Sequence, residues 1–295
     1  MAAQLRERQR VDGVTADLIA LQLAVDCLAA TALYALIALA VSLSFGGSGV
    51  LNLAIGQIAI AGALAASAVA GAGWPVWLAA LFGVAVAGAL GAIAERALVK
   101  PSLGRPVLAA ALLIASAIVL REVLLGLFPR NVYAFPTVGG TFKVFGGIVH
   151  GSDLVIIAAV LAVSAAGAAV LRSTRVGAAL RVTSESPDAA ELVGVDTAAV
   201  RTAAFAVGAG LAAGAVLLGV GHFPLAASGG VVLAFRGIAA AVAGGLRSPA
   251  GVVGSALAIA MGQVIGGFYL GSGGEVVSDL VAVGLIAVGG FLWRR

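Results

Sequence analysis

Residues 74–94 read WPVWLAALFGVAVAGALGAIA, twenty-one residues without a charge. As a helix rising about 1.5 Å per residue, the run reaches roughly 30 Å, the thickness of a bilayer's hydrocarbon core. Comparable runs fill the chain on both sides of it. They predict spans at 18–45, 55–72, 74–94, 107–127, 153–171, 201–221, 231–246, 250–268 and 276–293. The fold expected is all-α, a polytopic transmembrane bundle of about eight to ten spans. Composition agrees: of 295 residues 62% are hydrophobic and only 10% charged, too few charges to cover a soluble surface. Forty-two glycines and abundant alanine suit close packing between membrane helices. The short alternating segments of a transmembrane β-barrel are absent. Residues 1–17 read as a polar N-terminal segment and 18–295 as one transmembrane domain. The opening MAAQLRERQRVDGVTADL has no short apolar core before a cleavage site, so no removable signal peptide is expected.

The net charge of +4 does not point to nucleic acid, because most Lys and Arg lie in loops between apolar runs. Positive loops belong in the cytoplasm. That places there 95–106, with Arg96, Lys100 and Arg105, and the 172–200 loop, with Arg172, Arg175 and Arg181. Arg247, Arg294 and Arg295 join them, while 129–152, with only Arg130 and Lys143, falls outside. Counting spans back puts Arg6, Arg8 and Arg10 outside, against the rule. The alternative is that 46–54, GGSGVLNLA, breaks a helix within the membrane, which would flip the parity.

Phe45 to Gln57 and Gly244 to Gly251 both read as broken helices, each with paired glycines and a small polar residue. Each precedes an Ala/Gly-rich helix containing Gly-Gln, at 56–57 and 262–263. The 231–246 run is about 24 Å long, short of the hydrocarbon core. Corresponding interrupted segments in two halves suggest an internal repeat around a transport path, against the plain reading that glycine is frequent everywhere here.

The longest polar interval is Arg172 to Arg201. Ser186 suits an N-cap, Pro187 the first helical position and Asp188 the first turn, while Gly194 sits where a left-handed C-cap belongs. About two turns of helix cannot hold alone in water, so this one must dock. Ala189, Leu192 and Val193 share one face, Asp188 and Glu191 another. The helix is either a knob for a soluble partner or an amphipathic turn lying on the bilayer surface; the loop alone favours the second.

Nothing argues for an enzyme. The only lysines are Lys100 and Lys143, neither in a P-loop, and no G-x-S-x-G or H-E-x-x-H occurs. His150 and His222 have no second ligand at metal spacing, and Cys27 is the single cysteine, so no metal, cofactor or disulfide is expected. Ionisable residues inside apolar runs are costly and worth weighing: Asp26, Arg121, Glu122 and Arg236. Arg121 and Glu122 read as snorkelling to the interface. Asp26 and Arg236 either line a polar passage or pair with a neighbouring helix. The absence of a chain of buried carboxylates counts against a proton- or sodium-driven carrier.

Taken together, these segments resemble a permease of the branched-chain amino-acid ABC transporter family. The segment from Tyr34-Ala-Leu-Ile-Ala-Leu to Asn52-Leu-Ala-Ile-Gly56 resembles that family's first helix and the element after it. Glu95-Arg96 with Lys100-Pro101 resembles its first cytoplasmic loop. Gly177, Arg181, Ala190, Gly194, Val195 and Asp196 match its loop toward the ATPase. Phe235 to Gly245 and Ser248-Pro249-Ala250-Gly251 resemble its glycine-glycine-x-x-serine-proline-glycine element, with Ala250 a departure. The likeness covers the chain from about residue 20 onward, and the order of the four elements carries it. Ile55 stands where these permeases often carry histidine, Gln57 where they often carry glutamate, and Ala178 where an arginine usually follows the loop glycine. These departures bear on the solute more than on the architecture.

The resemblance implies a bacterial-type inner-membrane permease subunit for a branched-chain amino acid or a related amino acid or amide. It implies cytoplasmic ATP-binding subunits, a second permease subunit and an extracytoplasmic solute-binding protein as partners. Coupling to the ATPase would fall to Arg181, Ser186, Pro187, Asp188, Ala189, Glu191, Leu192, Val193, Gly194 and Asp196. Asn52, Gly56, Gln57, Arg236 and Gln263, polar or small residues beside the glycine breaks, are candidates for the translocation path. The rival readings are a secondary carrier or passive channel working without ATPases, and a purely structural membrane subunit.

Overall fold

The computed structural model describes residues 2–130, 132–136, 140–144, 147–221, 224–246, 248–271 and 273–292. His222, Arg247, Arg294 and Arg295 lie outside the described residues. Each apolar run expected to span becomes a helix: α1 (Ala2–Ser48), α2 (Ile55–Gly71), α3 (Val76–Ala94), α4 (Pro106–Leu127), α5 (Gly151–Ser173), α8 (Thr197–Gly219), α9 (Gly230–Ala243), α10 (Pro249–Leu270) and α11 (Gly273–Leu292). Between α5 and α8 lie α6 (Arg175–Glu185) and α7 (Pro187–Leu192). Among the described residues, five helices have the length and apolar character to cross a membrane, and α2, α9 and the 153–167 part of α5 are shorter apolar helices. The result is a helical membrane bundle. Helix α1 begins at Ala2 and runs through the polar segment 1–17 without interruption.

The bundle is built around α1, which packs on α8, α9 and α10, while α3 lies along α8 and α2. Small residues set the spacing. A Cβ added to Gly83 would sit 2.4 Å from the Gly62 carbonyl oxygen, so α2 and α3 meet backbone to backbone. Apolar side chains on α4 stay outward, with Val107, Ile118 and Leu127 well exposed, as suits contact with lipid or another subunit.

The two glycine breaks differ in kind. After Ser48 the chain turns through Gly49 at φ +68° and past a buried Asn52, and α2 then leaves along α3, α8 and α9, not back along α1. Residues 49–54 are thus a short connection in which Asn52 and Ala54 are buried and Gly49 is exposed. By contrast, α9 and α10 form a tight hairpin: a Cβ on Gly251 would lie 2.1 Å from the Gly244 oxygen. Leu246 holds a left-handed φ of 41° at its tip, a strained position for a branched side chain. Ser248 starts α10 by accepting a hydrogen bond from the Gly251 N–H at 3.2 Å.

Two elements depart from the expected loops. Residues 172–200 are mostly helical, since α6 precedes the short helix. Within 129–152, β1 (Thr141–Val144) pairs antiparallel with β2 (Gly147–His150), Thr141 opposite His150. This hairpin sits on a connection and leaves the bundle itself helical.

Candidate functional site

The short helix forms by the signals read in the sequence. Ser186 is extended, at φ −152° and ψ 104°, and its Oγ accepts from the Ala189 N–H at 3.2 Å. Pro187 occupies the first helical position and Asp188 the first turn. Gly194 takes φ +81°, and the Val195 N–H reaches back to the Ala190 oxygen at 3.0 Å, closing the C-terminus. Asp196 then caps α8, accepting from the Ala199 N–H at 2.9 Å.

How α7 docks could not be read from spacing alone. Ala190 is the residue turned into the bundle, fully buried, while Ala189 is exposed. Leu192 is 89% exposed and Val193 72%. One small side chain fixes the helix to its own chain and two large apolar ones stand outward. Glu191 is not a free rim charge, because its Oε1 accepts from Thr197 Oγ1 at 2.7 Å. Asp188 and Arg181 are both exposed.

From Glu191 a chain of polar contacts runs into the membrane helices. Thr197 Oγ1 accepts from Arg201 Nη1 at 3.4 Å, and Arg201 Nε donates to Glu95 Oε1 at 3.2 Å. Glu95 Oε2 accepts from Thr202 Oγ1 at 2.6 Å. Glu95 opens a π-helical turn, Glu95–Val99, at the end of α3 and is 1% exposed. Both carboxylate oxygens are thus satisfied inside the protein, as a buried charge requires. Arg201 was legible only as the end of a loop, and its pairing partner lies 106 residues away.

A second polar cluster sits midway along the spans. Arg236, on α9, is 3% exposed and donates from Nη1 to the Tyr34 hydroxyl at 3.0 Å and from Nε to Asp279 Oδ1 at 3.0 Å. Tyr34 in turn donates to Gln263 Oε1. The guanidinium carbon lies 5.9 Å from the Tyr34 ring centre, and Nη2 approaches the Glu275 carbonyl oxygen at 3.5 Å. Four helices, α1, α9, α10 and α11, meet in this cluster. Two expected path residues, Arg236 and Gln263, are brought together through Tyr34. Tyr34, Asp279 and Glu275 were not singled out in the sequence; a carboxylate one helix away from an intramembrane arginine was the signal available for Asp279. Its side chain remains 45% exposed, which leaves the cluster open on that side.

The other three path candidates gather where α2 begins. A Cβ on Gly56 would fall 2.0 Å from the Gly230 oxygen, so the first turns of α2 and α9 touch through their backbones. Gln57 donates from Nε2 to the Ala227 oxygen at 2.8 Å, and Asn52 Oδ1 accepts from the Ala54 N–H at 3.2 Å. Asn52 Nδ2 and Gln57 Oε1 are buried without a protein partner. Gly56 thus meets Gly230 at the start of α9.

Three comparisons bear on this geometry. A family model described as branched-chain amino acid transport system / permease component matches residues 23–288. Among solved structures, a chain of PsaBC from Streptococcus pneumoniae in complex with Fab is similar, at a TM-score of 0.54 and 14% identity over 95% of each chain. At that identity the likeness speaks for the fold. A comparison with curated protein sequences gives no match.

Proposed function

The chain belongs to the branched-chain amino acid transport permease family, and we propose that it forms half of the translocation path of an ABC importer for a branched-chain amino acid or a related small amino acid or amide. In this reading the membrane is a bacterial-type inner membrane. ATP-hydrolysing subunits dock at α7 on its cytoplasmic side, a like permease completes the path, and a soluble binding protein delivers solute to the opposite face. The chain itself makes and breaks no covalent bonds.

The observation that carries the reading is the polar relay from Glu191 to Glu95. A helix held by the buried Ala190 and by the Glu191–Thr197 hydrogen bond, with Leu192 and Val193 outward, presents an apolar knob to a groove on a partner. Movement of that knob reaches α3 and α8 through Thr197 and Arg201, so closure of the ATPases would tilt the bundle between outward- and inward-open states. Deleting residues 186–193 is expected to abolish co-purification of the ATPase subunits while membrane insertion persists. A complex that still purifies whole overturns the coupling assignment.

Among these solutes the Arg236 cluster favours an amino acid over an amide. A zwitterion carries both groups needed to exchange with the Arg236–Asp279 pair: its carboxylate for the guanidinium, its ammonium for Asp279. Transport of the zwitterion but not of its amide or decarboxylated analogue, with the discrimination lost in Asp279→Asn, is the expected result. Equal transport of all three removes Arg236 and Asp279 from the path.

A further inference from the structure

Helix α11 has two faces of different character. One turns to α10: a Cβ on Gly266 would lie 3.1 Å from the Val277 Cβ and one on Gly262 3.4 Å from the Ser278 Cα, while Ser278 Oγ donates to the Ile259 oxygen at 3.2 Å. Away from α10, Val276, Leu280, Val283 and Ala287 are all exposed. Their i, i+4, i+7, i+11 spacing places them on one arc of the helix. Along one edge of that arc stand Glu275 and Asp279, themselves four residues apart. The face left bare by the bundle is thus an apolar strip with an acidic border.

A carboxylate on that border needs cover. Asp279 lies six residues past Gly273 in a helix of 20, roughly 9 Å along the span and so within the hydrocarbon layer. A charge facing lipid there is costly, and such groups turn to a protein partner or a water-filled passage. Arg236 covers Asp279 from one side, through Oδ1 at 3.0 Å. Among the described residues the other oxygen has no partner, and the side chain stays close to half open. Helix α4 differs on this point. Its bare apolar surface also carries charge, but Arg121 and Glu122 neutralise each other at 2.7 Å. That surface can face lipid as it stands, whereas the Arg236–Asp279 site on α9 and α11 is incomplete within one chain.

We propose that the bare arc of α11 is the seam at which a second copy of this chain completes that site. The inference rests on the reading that a like permease forms the other half of the path, and it names the face that this permease covers. A two-fold seam offers the same surface twice. Val276, Leu280 and Val283 then pack on their counterparts, and the acidic border of each copy lines a polar passage beside them. The Arg236–Asp279 pairs stand on opposite walls of this passage, each pair neutral, so the two copies do not repel. Solute between the walls meets Asp279 from its open side.

The test uses the full-length chain in membranes, with Cys27→Ala removing its single cysteine. Val276→Cys, Leu280→Cys, Val283→Cys and Ala287→Cys are then introduced one at a time. Thiols are joined by copper phenanthroline, or by a short bismaleimide where they stand too far apart for a disulfide, and the chains are separated without reductant. A band of two linked chains is expected from at least one arc position and not from Ile118→Cys on the exposed face of α4. Leu280→Arg, which puts a charge into the seam, is expected to lower linking through Val276→Cys or Val283→Cys about tenfold or more. The cysteine positions decide the matter even if Leu280→Arg fails to insert. No linking at any arc position overturns the proposal, and so does equal linking at Ile118→Cys, which marks random collision or a different seam. A band that forms only beside a second, different permease overturns the second copy as occupant. Deleting residues 186–193, which tests the α7 reading, is expected to leave linking intact, so the two readings fail separately.

Discussion

Two buried arginines hold carboxylates across helices, and the two pairs are built differently. At the α7 end, Arg201 grips a Glu95 that is 1% exposed, with Thr202 on its other oxygen. In mid-bundle, Arg236 is as deeply covered, but its Asp279 is close to half open. The first pair has both carboxylate oxygens engaged and behaves as a rivet. The second is closed on the arginine side only, so its carboxylate can change partners without exposing the guanidinium, which keeps Tyr34 and the Glu275 carbonyl. In the proposed transport cycle the first pair is suited to transmit force and the second to exchange ligands.

The largest expected effect breaks the rivet. Glu95→Ala leaves Arg201 buried without its carboxylate and should cost about 3–5 kcal/mol, read as a fall in the thermal midpoint of the purified chain. Glu95→Ala with Arg201→Met should recover most of that loss, since an apolar pair of similar volume replaces the charges; no recovery would mean the network does more than neutralise itself. Next is Ser186→Ala, which removes the α7 cap and should cost about 1 kcal/mol in stability of the α6–α8 region, seen as faster amide exchange at residues 189–191. Asp279→Asn comes third. It should cost less than about 1 kcal/mol in stability because Arg236 keeps the Tyr34 hydroxyl and the Glu275 carbonyl, yet strongly reduce solute uptake. A large stability loss here would erase the contrast between the two pairs. Smallest is Leu192→Ser, expected within about 0.5 kcal/mol of the parent because the side chain is exposed, with its effect confined to ATPase association.

The spans were legible because hydrophobic length is a one-dimensional property, and Trp74–Ala94 needed nothing else. The ends of α7 were legible too: Ser186, Pro187 and Gly194 act on backbone groups within three or four residues. What escaped was anything decided by which way a helix faces. Ala189 and Ala190 are indistinguishable in composition, yet one is buried and the other exposed. Tyr34 meets Arg236 across 202 residues, and no local pattern encodes that meeting. Helix α6 was missed for another reason. Its polar, arginine-bearing sequence RVGAALRVTSE lacks the apolar run that marks the others, and its narrow stripe of Leu180 and Thr183 was easily taken for loop.

The widened turn at Glu95–Val99 is where α3 stops being regular. Five residues are fitted where tighter winding would hold fewer, which lets the carboxylate aim inward while the cations two steps on look outward. Excising a single residue there would let the coil relax to the usual pitch while the segments on either side keep their facing, because the wide turn is what absorbs the extra residue. Lys100 would keep its present facing, and the loss would fall on the inward aim of Glu95, which the widened turn makes possible.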